Sequence, residues 1–138
     1  MTTALIVDDS KIDRELVSTL LQDRTSLQVA FADDGADALR QLAKSEPDMI
    51  ITDLHMPEVD GLRLVETVRE QHSHVPIVLI TGQGSENLAV QALKTGAASY
   101  VPKISLATEL VPTVMQVLAL SRADRGVKAV QRCWKETN

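Results

Sequence analysis

Apolar residues along the chain alternate between two spacings. Short continuous runs are separated by longer stretches in which apolar residues recur every three or four positions. The runs predict strands over residues 4–7, 27–32, 49–52, 75–81 and 99–102, and the spaced stretches predict five intervening helices. Ile12, Leu16, Leu20 and Leu21 would form the inner face of the first helix, with Ser10 and Asp13 at the spacing of a capping box. Asp34 can cap a second helix carrying Ala38, Leu39, Leu42 and Ala43, which Pro47 ends. Leu62, Leu64, Val65 and Val68 mark a third helix, and Leu88, Ala89, Ala92 and Leu93 a fourth, with Gly96 as its C-terminal cap. The fifth helix spans 106–120 and buries Leu110, Val114, Val117 and Leu118. The fourth strand is apolar along almost its whole length, as a strand covered on both faces should be. Strands and helices alternating through short links predict an α/β fold: a doubly wound five-stranded parallel sheet with right-handed crossovers.

Composition narrows the picture. At 138 residues the chain fits one domain, and 44% hydrophobic with 24% charged residues argues against disorder. A net charge of −5 argues against general nucleic-acid affinity. The charge is uneven: residues 122–138 carry +3, leaving −8 on the rest. The tail is therefore read separately, as a basic C-terminal extension or the start of a linker helix, and 1–121 as the domain. The single cysteine, Cys133, excludes an internal disulfide and fits a reducing compartment. No apolar run approaches the ~18 residues of a membrane span, and the N-terminal residues do not read as a signal peptide.

In such sheets ligands bind beyond the carboxyl ends of the strands. The first strand ends in Asp8 and Asp9, the third in Asp53, the fourth in Thr81, and the fifth leads to Lys103. Asp33 and Asp34, after the second strand, are explained by helix capping. Singly, each group has an ordinary explanation: a helix cap, a turn residue or a solvated lysine. Independent causes do not usually place complementary groups at four of five strand ends. Three gathered carboxylates repel one another, and a hard divalent cation such as magnesium compensates them with few protein ligands. One carboxylate can then act as a nucleophile toward a phosphoryl group, with lysine and hydroxyl holding the remaining oxygens. A flavin phosphate is poorly served, because the acidic pair after the first strand would repel it and only Phe31, Tyr100 and Trp134 are aromatic.

Four segments carry a family resemblance: Leu5-Ile6-Val7-Asp8-Asp9-Ser10; residues 48–57 with Asp60-Gly61; Pro76-Ile77-Val78-Leu79-Ile80-Thr81-Gly82; and Gly96 to Lys103. Together, in this order, they resemble the receiver domain of two-component response regulators, of the chemotaxis-regulator kind, over about residues 3–121. The resemblance implies a flavodoxin-like (βα)5 fold with strand order 2-1-3-4-5. It implies that Asp53 accepts a phosphoryl group from a histidine kinase or histidine phosphotransfer protein. Asp8, Asp9, Asp53 and the His55 carbonyl would hold Mg2+ or Mn2+. Lys103 would pair with phosphoryl oxygens, Thr81 would bond one of them and move inward, and Tyr100 would turn into the space vacated. The surface of helix four, strand five and helix five would then change. His55 and Gln83 resemble positions that tune phosphoryl lifetime; an ordinary solvated loop residue is the other reading of His55. The family's cytoplasmic location, and no turnover of small substrates, would follow.

Three positions depart from the pattern. Ile104 stands where proline usually follows the lysine, so the Lys103–Ile104 link should be trans or strained. Pro102 removes a strand donor and should fray the sheet edge. Gly82 replaces an alanine and should loosen its loop. The Ile104 departure gives weight to an alternative, an unregulated receiver-like interaction module. A metal-dependent phosphohydrolase is a third reading, though His55 sits where such enzymes usually carry a second acidic residue. His72 and His74 have no assigned role. A receiver alone has no output, so the chain would act on a downstream protein, or an output domain lies outside it. No direct nucleic-acid or membrane contact is expected. A homodimer would form through helices four and five or through the tail, where Val127, Val130 and Trp134 share a helical face; a frayed terminus is the other reading of that segment.

Overall fold

A computed structural model describes residues 2–55, 60–72 and 74–137, with side chains as far as Arg122. Its elements run β1 (Thr3–Val7), α1 (Lys11–Arg24), β2 (Gln28–Ala32), α2 (Gly35–Lys44), β3 (Met49–Asp53), α3 (Gly61–Gln71), β4 (Ile77–Thr81), α4 (Glu86–Thr95), β5 (Ser99–Pro102), a short 3-10 turn (Lys103–Ser105) and α5 (Leu106–Thr137). The sheet is parallel throughout, in the order β2-β1-β3-β4-β5.

Alternation along the strands divides the interior into two cores. Leu5, Val7, Ile50, Ile77 and Leu79 face α2, α3 and α4, meeting Ala38, Leu42, Leu64, Val65, Val68 and Ala92. Ala4, Ile6, Ile51, Val78 and Ile80 face α1 and α5, meeting Val17, Leu21, Leu110 and Val114. Every residue of β3 and β4 is buried, as helices on both sheet faces require. Register then sets the carboxyl edge. Val7 lies opposite Thr52, Asp53 opposite Ile80, and Thr81 opposite Pro102. The next residues, Asp8 and Lys103, leave the sheet on the same side as Asp53 and Thr81.

Several expectations are corrected. The inner face of α1 is Val17, Ser18 and Leu21, while Ile12 and Leu16 are 78% and 47% exposed. Leu21, and Leu20 part-buried against the same core, lie on the expected side, whereas Ile12 and Leu16 do not, so the face the sheet covers is rotated away from the expected stripe. Ala43 is exposed rather than inward. The capping box is half made. Ser10 accepts from the Asp13 amide, but its own N–H donates to Asp8 Oδ1 instead of reaching Asp13. Asp34 caps α2, whereas Asp33 pairs with Arg14 and caps nothing. Val75 is buried but precedes β4 in a bend.

The fifth helix does not stop near residue 120 but continues to Thr137, through Pro112 and Gly126. Its stretch Lys103–Arg122 is 20 residues with a mean hydropathy of 1.5, long and apolar enough to cross a membrane by length and composition. This corrects the expectation that no such stretch exists. Leu106, Leu110, Val114, Val117 and Leu118 of the stretch are buried in the core that also holds Val17 and Leu21 of α1. The side chains of Val127, Val130, Cys133 and Trp134, and loop residues 56–59, lie outside the described residues.

Candidate functional site

The ends of β1, β3 and β5 deliver their charged groups to one place. Asp8 and Asp53 are 2% and 3% exposed, while Asp9 is exposed. One carboxylate oxygen from each of the three lies within 4.8 Å of the others. Lys103 Nζ reaches Asp53 Oδ2 at 3.2 Å and Asp13 Oδ2 at 3.4 Å. Asp53 Oδ1 accepts the His55 amide at 3.2 Å. Thr81 is buried at the end of β4 and lines a cavity of about 690 Å³ with Gln83, Val90, Tyr100, Pro102 and Ile104. Tyr100, the expected switch aromatic, is 47% exposed on that groove.

Electrostatics follow from this crowding. Burial, with the charges of Asp53 and Asp13, pushes the Asp8 carboxyl up from 3.8 to about 6, against the Ser10 amide bond and Lys103, which lower it. Burial alone would lower the Lys103 pKa, but the Asp53 charge and hydrogen bond, with Asp13 and Asp8, raise it on balance. The ammonium is therefore held charged against the carboxylates. The donor set is all oxygen, and Asp8 is buried in it beside the like charge of Asp53. Both features fit a hard divalent cation.

The departures prove local. Among the described residues no peptide bond is cis, so Lys103–Ile104 is trans, and Lys103 still meets Asp53. Ile104 is 93% exposed. Pro102 is the last residue of edge strand β5, where a missing N–H is tolerated. A Cβ built on Gly82 meets nothing within 4 Å, so the structure does not require glycine there. Gly61 is the opposite case. A Cβ there would stand 2.7 Å from both Asp53 O and Leu54 Cα. The start of α3 presses directly on the backbone of Asp53, and Asp60 caps that helix through the Arg63 amide at 2.9 Å.

Three participants, Asp13, Arg14 and Ser85, escaped the reading of strand ends. Asp13 competes with Asp53 for Lys103. Arg14 donates to the Asp8 carbonyl at 3.1 Å and pairs with Asp33, bracing the β1 and β2 loops. At the opposite edge of the sheet, away from the site, Asp48 ties the start of β3 to the start of β1 by accepting the Thr3 amide at 2.8 Å. Ser85, wholly buried at the start of α4, hydrogen-bonds His55 Nε2. The first two are adjacent residues near the start of α1, where the sequence suggested only a capping role for Asp13. Away from the site, His72 and His74 both hydrogen-bond Glu46, with His74 Nε2 at 2.7 Å from Oε1.

Comparison with known proteins decides the family. The model of the response regulator receiver domain matches residues 4–115. The chain belongs to the response regulator receiver domain family. It is 33% identical over 121 residues to the C4-dicarboxylate transport transcriptional regulatory protein DctD of Pseudomonas aeruginosa, covering 88% of this chain and 26% of that protein. It is 31% identical to response regulator MprA of Mycobacterium leprae, covering 91% of this chain and 55% of the relative. The crystal structure of the Vibrio cholerae chemotaxis protein CheY4 superposes with a TM-score of 0.77 at 34% identity, covering 85% of this chain and 98% of that one. The chain thus spans about a quarter to a half of the length of these two curated relatives. Receiver domains are phosphorylation-dependent signalling switches of two-component systems, and this receiver has the fold, strand order and acidic cluster of that class.

Proposed function

We propose that Asp53 is the phosphoacceptor of this receiver domain. The observation that carries the reading is the buried Asp53 carboxylate, set among Asp8 and Asp9 and 3.2 Å from the Lys103 ammonium. An Asp53 oxygen attacks the phosphorus of a phosphohistidine on a histidine kinase or phosphotransfer protein. The new O–P bond forms as the P–N bond breaks, and the imidazole leaves with the electron pair. Lys103 holds charge on the transferred oxygens, and the Thr81 hydroxyl bonds one of them. Asp8, Asp9, Asp53 and the His55 carbonyl would hold Mg2+ or Mn2+. Bound there, such a cation neutralises the acidic cluster and spreads the developing phosphoryl charge.

Drawing Thr81 inward opens room for Tyr100 at the α4–β5 groove, and the α4, β5 and α5 surface presents a new shape to a downstream protein or an output domain. His55 and Gln83 set how long the aspartyl phosphate lasts. The receiver works in the cytoplasm over residues 1–121, without turnover of small substrates. Residues 122–138 lead outward as a basic extension or linker helix. The trans link at Ile104 leaves Lys103 on Asp53, which favours the switch over an unregulated module.

Incubation with magnesium and acetyl phosphate, followed by intact-mass measurement, tests this. One labile phosphoryl group is expected, absent in Asp53→Asn. An unmodified wild-type protein would instead support the bare module, and steady release of phosphate from added phosphoesters a hydrolase.

A further inference from the structure

Ser85 occupies the N-cap of α4, where a side-chain oxygen ordinarily accepts an amide of the first helical turn. The caps of α1, α2 and α3 do so: Ser10, Asp34 and Asp60 accept from Asp13, Asp37 and Arg63. Ser85 makes no capping bond. Its hydroxyl, wholly buried, is instead hydrogen-bonded to His55 Nε2, 30 residues earlier in the chain. The same His55 donates its amide to Asp53 Oδ1. A line of hydrogen bonds therefore runs from the Asp53 carboxylate, through one loop residue, to the N-cap residue of the helix that walls the Thr81–Tyr100 groove.

We propose that Ser85 is the positioning residue that passes the state of Asp53 to α4, by exchanging its hydroxyl between two partners. This deepens the switch reading and rests on Asp53 being the phosphoacceptor. With Asp53 free, the ionised carboxylate anchors the His55 backbone, and the imidazole holds Ser85 away from its helix. Esterification turns that carboxylate into an acyl phosphate and removes the ionic acceptor from the His55 amide, weakening the anchor. A buried hydroxyl without a partner is costly. Ser85 sits at ψ 8°, whereas the caps of α1, α2 and α3 are extended. Once the imidazole shifts, its backbone can swing to the extended conformation, the hydroxyl reaches the α4 amides at Asn87 and Leu88, and the helix gains its missing cap. The two arrangements each satisfy the hydroxyl, which is what a two-state element requires.

Residue-resolved amide hydrogen exchange on the full chain tests the exchange of partners. Beryllofluoride with magnesium serves as the stable phosphoryl analogue. In the wild type, Asn87 and Leu88 should exchange at least about fivefold more slowly once the analogue binds. His55→Ala should show that protection with no analogue present. Ser85→Ala should never show it, although its mass still rises with acetyl phosphate. A wild-type-like response in Ser85→Ala, or unchanged Asn87 and Leu88 in His55→Ala, overturns the proposal. Failure of the wild type to gain a phosphoryl group would overturn the switch reading instead, and the His55→Ala comparison, which needs no phosphoryl group, still decides the role of Ser85.

Discussion

At the scale of single residues the site is a compromise between charge and burial. Asp8 carries most of the strain, since its carboxyl is pushed up to about 6. Between about pH 4 and 6 the folded chain holds a proton on Asp8 that the unfolded chain has released, so stability falls as pH rises through that window. Asp8→Asn keeps the oxygen that accepts the Ser10 amide and removes the charge. In chelator at pH 7 this variant should be more stable than the wild type, by up to about 3 kcal/mol, and the advantage should vanish below about pH 4. Denaturant titrations at the two pH values check it; equal stabilities at pH 7 would refute the assignment. Asp8, Asp9, Asp53, Thr81 and Lys103 were legible because strand ends in a parallel sheet must converge on one rim. Asp13, Arg14 and Ser85 were not, because each acts through the rotation of a helix or the aim of a side chain, neither of which sequence spacing fixes.

At the scale of elements, two glycines separate necessity from habit. Gly61→Ala places a Cβ 2.7 Å from the Asp53 carbonyl and Leu54 Cα, both backbone, so α3 must shift. We expect a loss of about 1–3 kcal/mol and slower phosphoryl uptake, because the shift moves Asp53, the proposed phosphoacceptor. Gly82→Ala meets open space. It should be neutral or stabilising by up to about 1 kcal/mol, since alanine narrows the unfolded ensemble. Thermal melts of both, with rates from acetyl phosphate, give the comparison; equal effects would refute the packing argument. Strand positions were read well because continuous apolar runs allow few alternatives. The face of α1 was misread because Ile12, Leu16, Val17, Leu20 and Leu21 offer more than one apolar stripe, and only the docked sheet selects Val17 and Leu21. The end of α5 was placed too early because the tail's charge was taken as a break, whereas helix continuity depends on backbone hydrogen bonds that basic residues do not interrupt.

At the scale of the whole molecule, the last α5 side chain in the described core is Leu118. A chain ending at Ser121 should keep its melting temperature within about 3 °C and its full phosphoryl uptake; a larger loss would place residues 122–138 within the folding unit. The architecture explains why the function was readable: five parallel strands in the order 2-1-3-4-5 bring residues far apart in sequence to one edge, and the chemistry there depends on side-chain identity more than on loop detail. The central claim is that one carboxylate at that edge is esterified. An acyl phosphate, unlike a phosphoserine or a bound phosphate, is reduced by borohydride to homoserine. Peptide mapping after acetyl phosphate, magnesium and borohydride should find homoserine at position 53 and at no other aspartate. Homoserine at position 8 or 9, or none anywhere in a fully folded sample, would contradict the account.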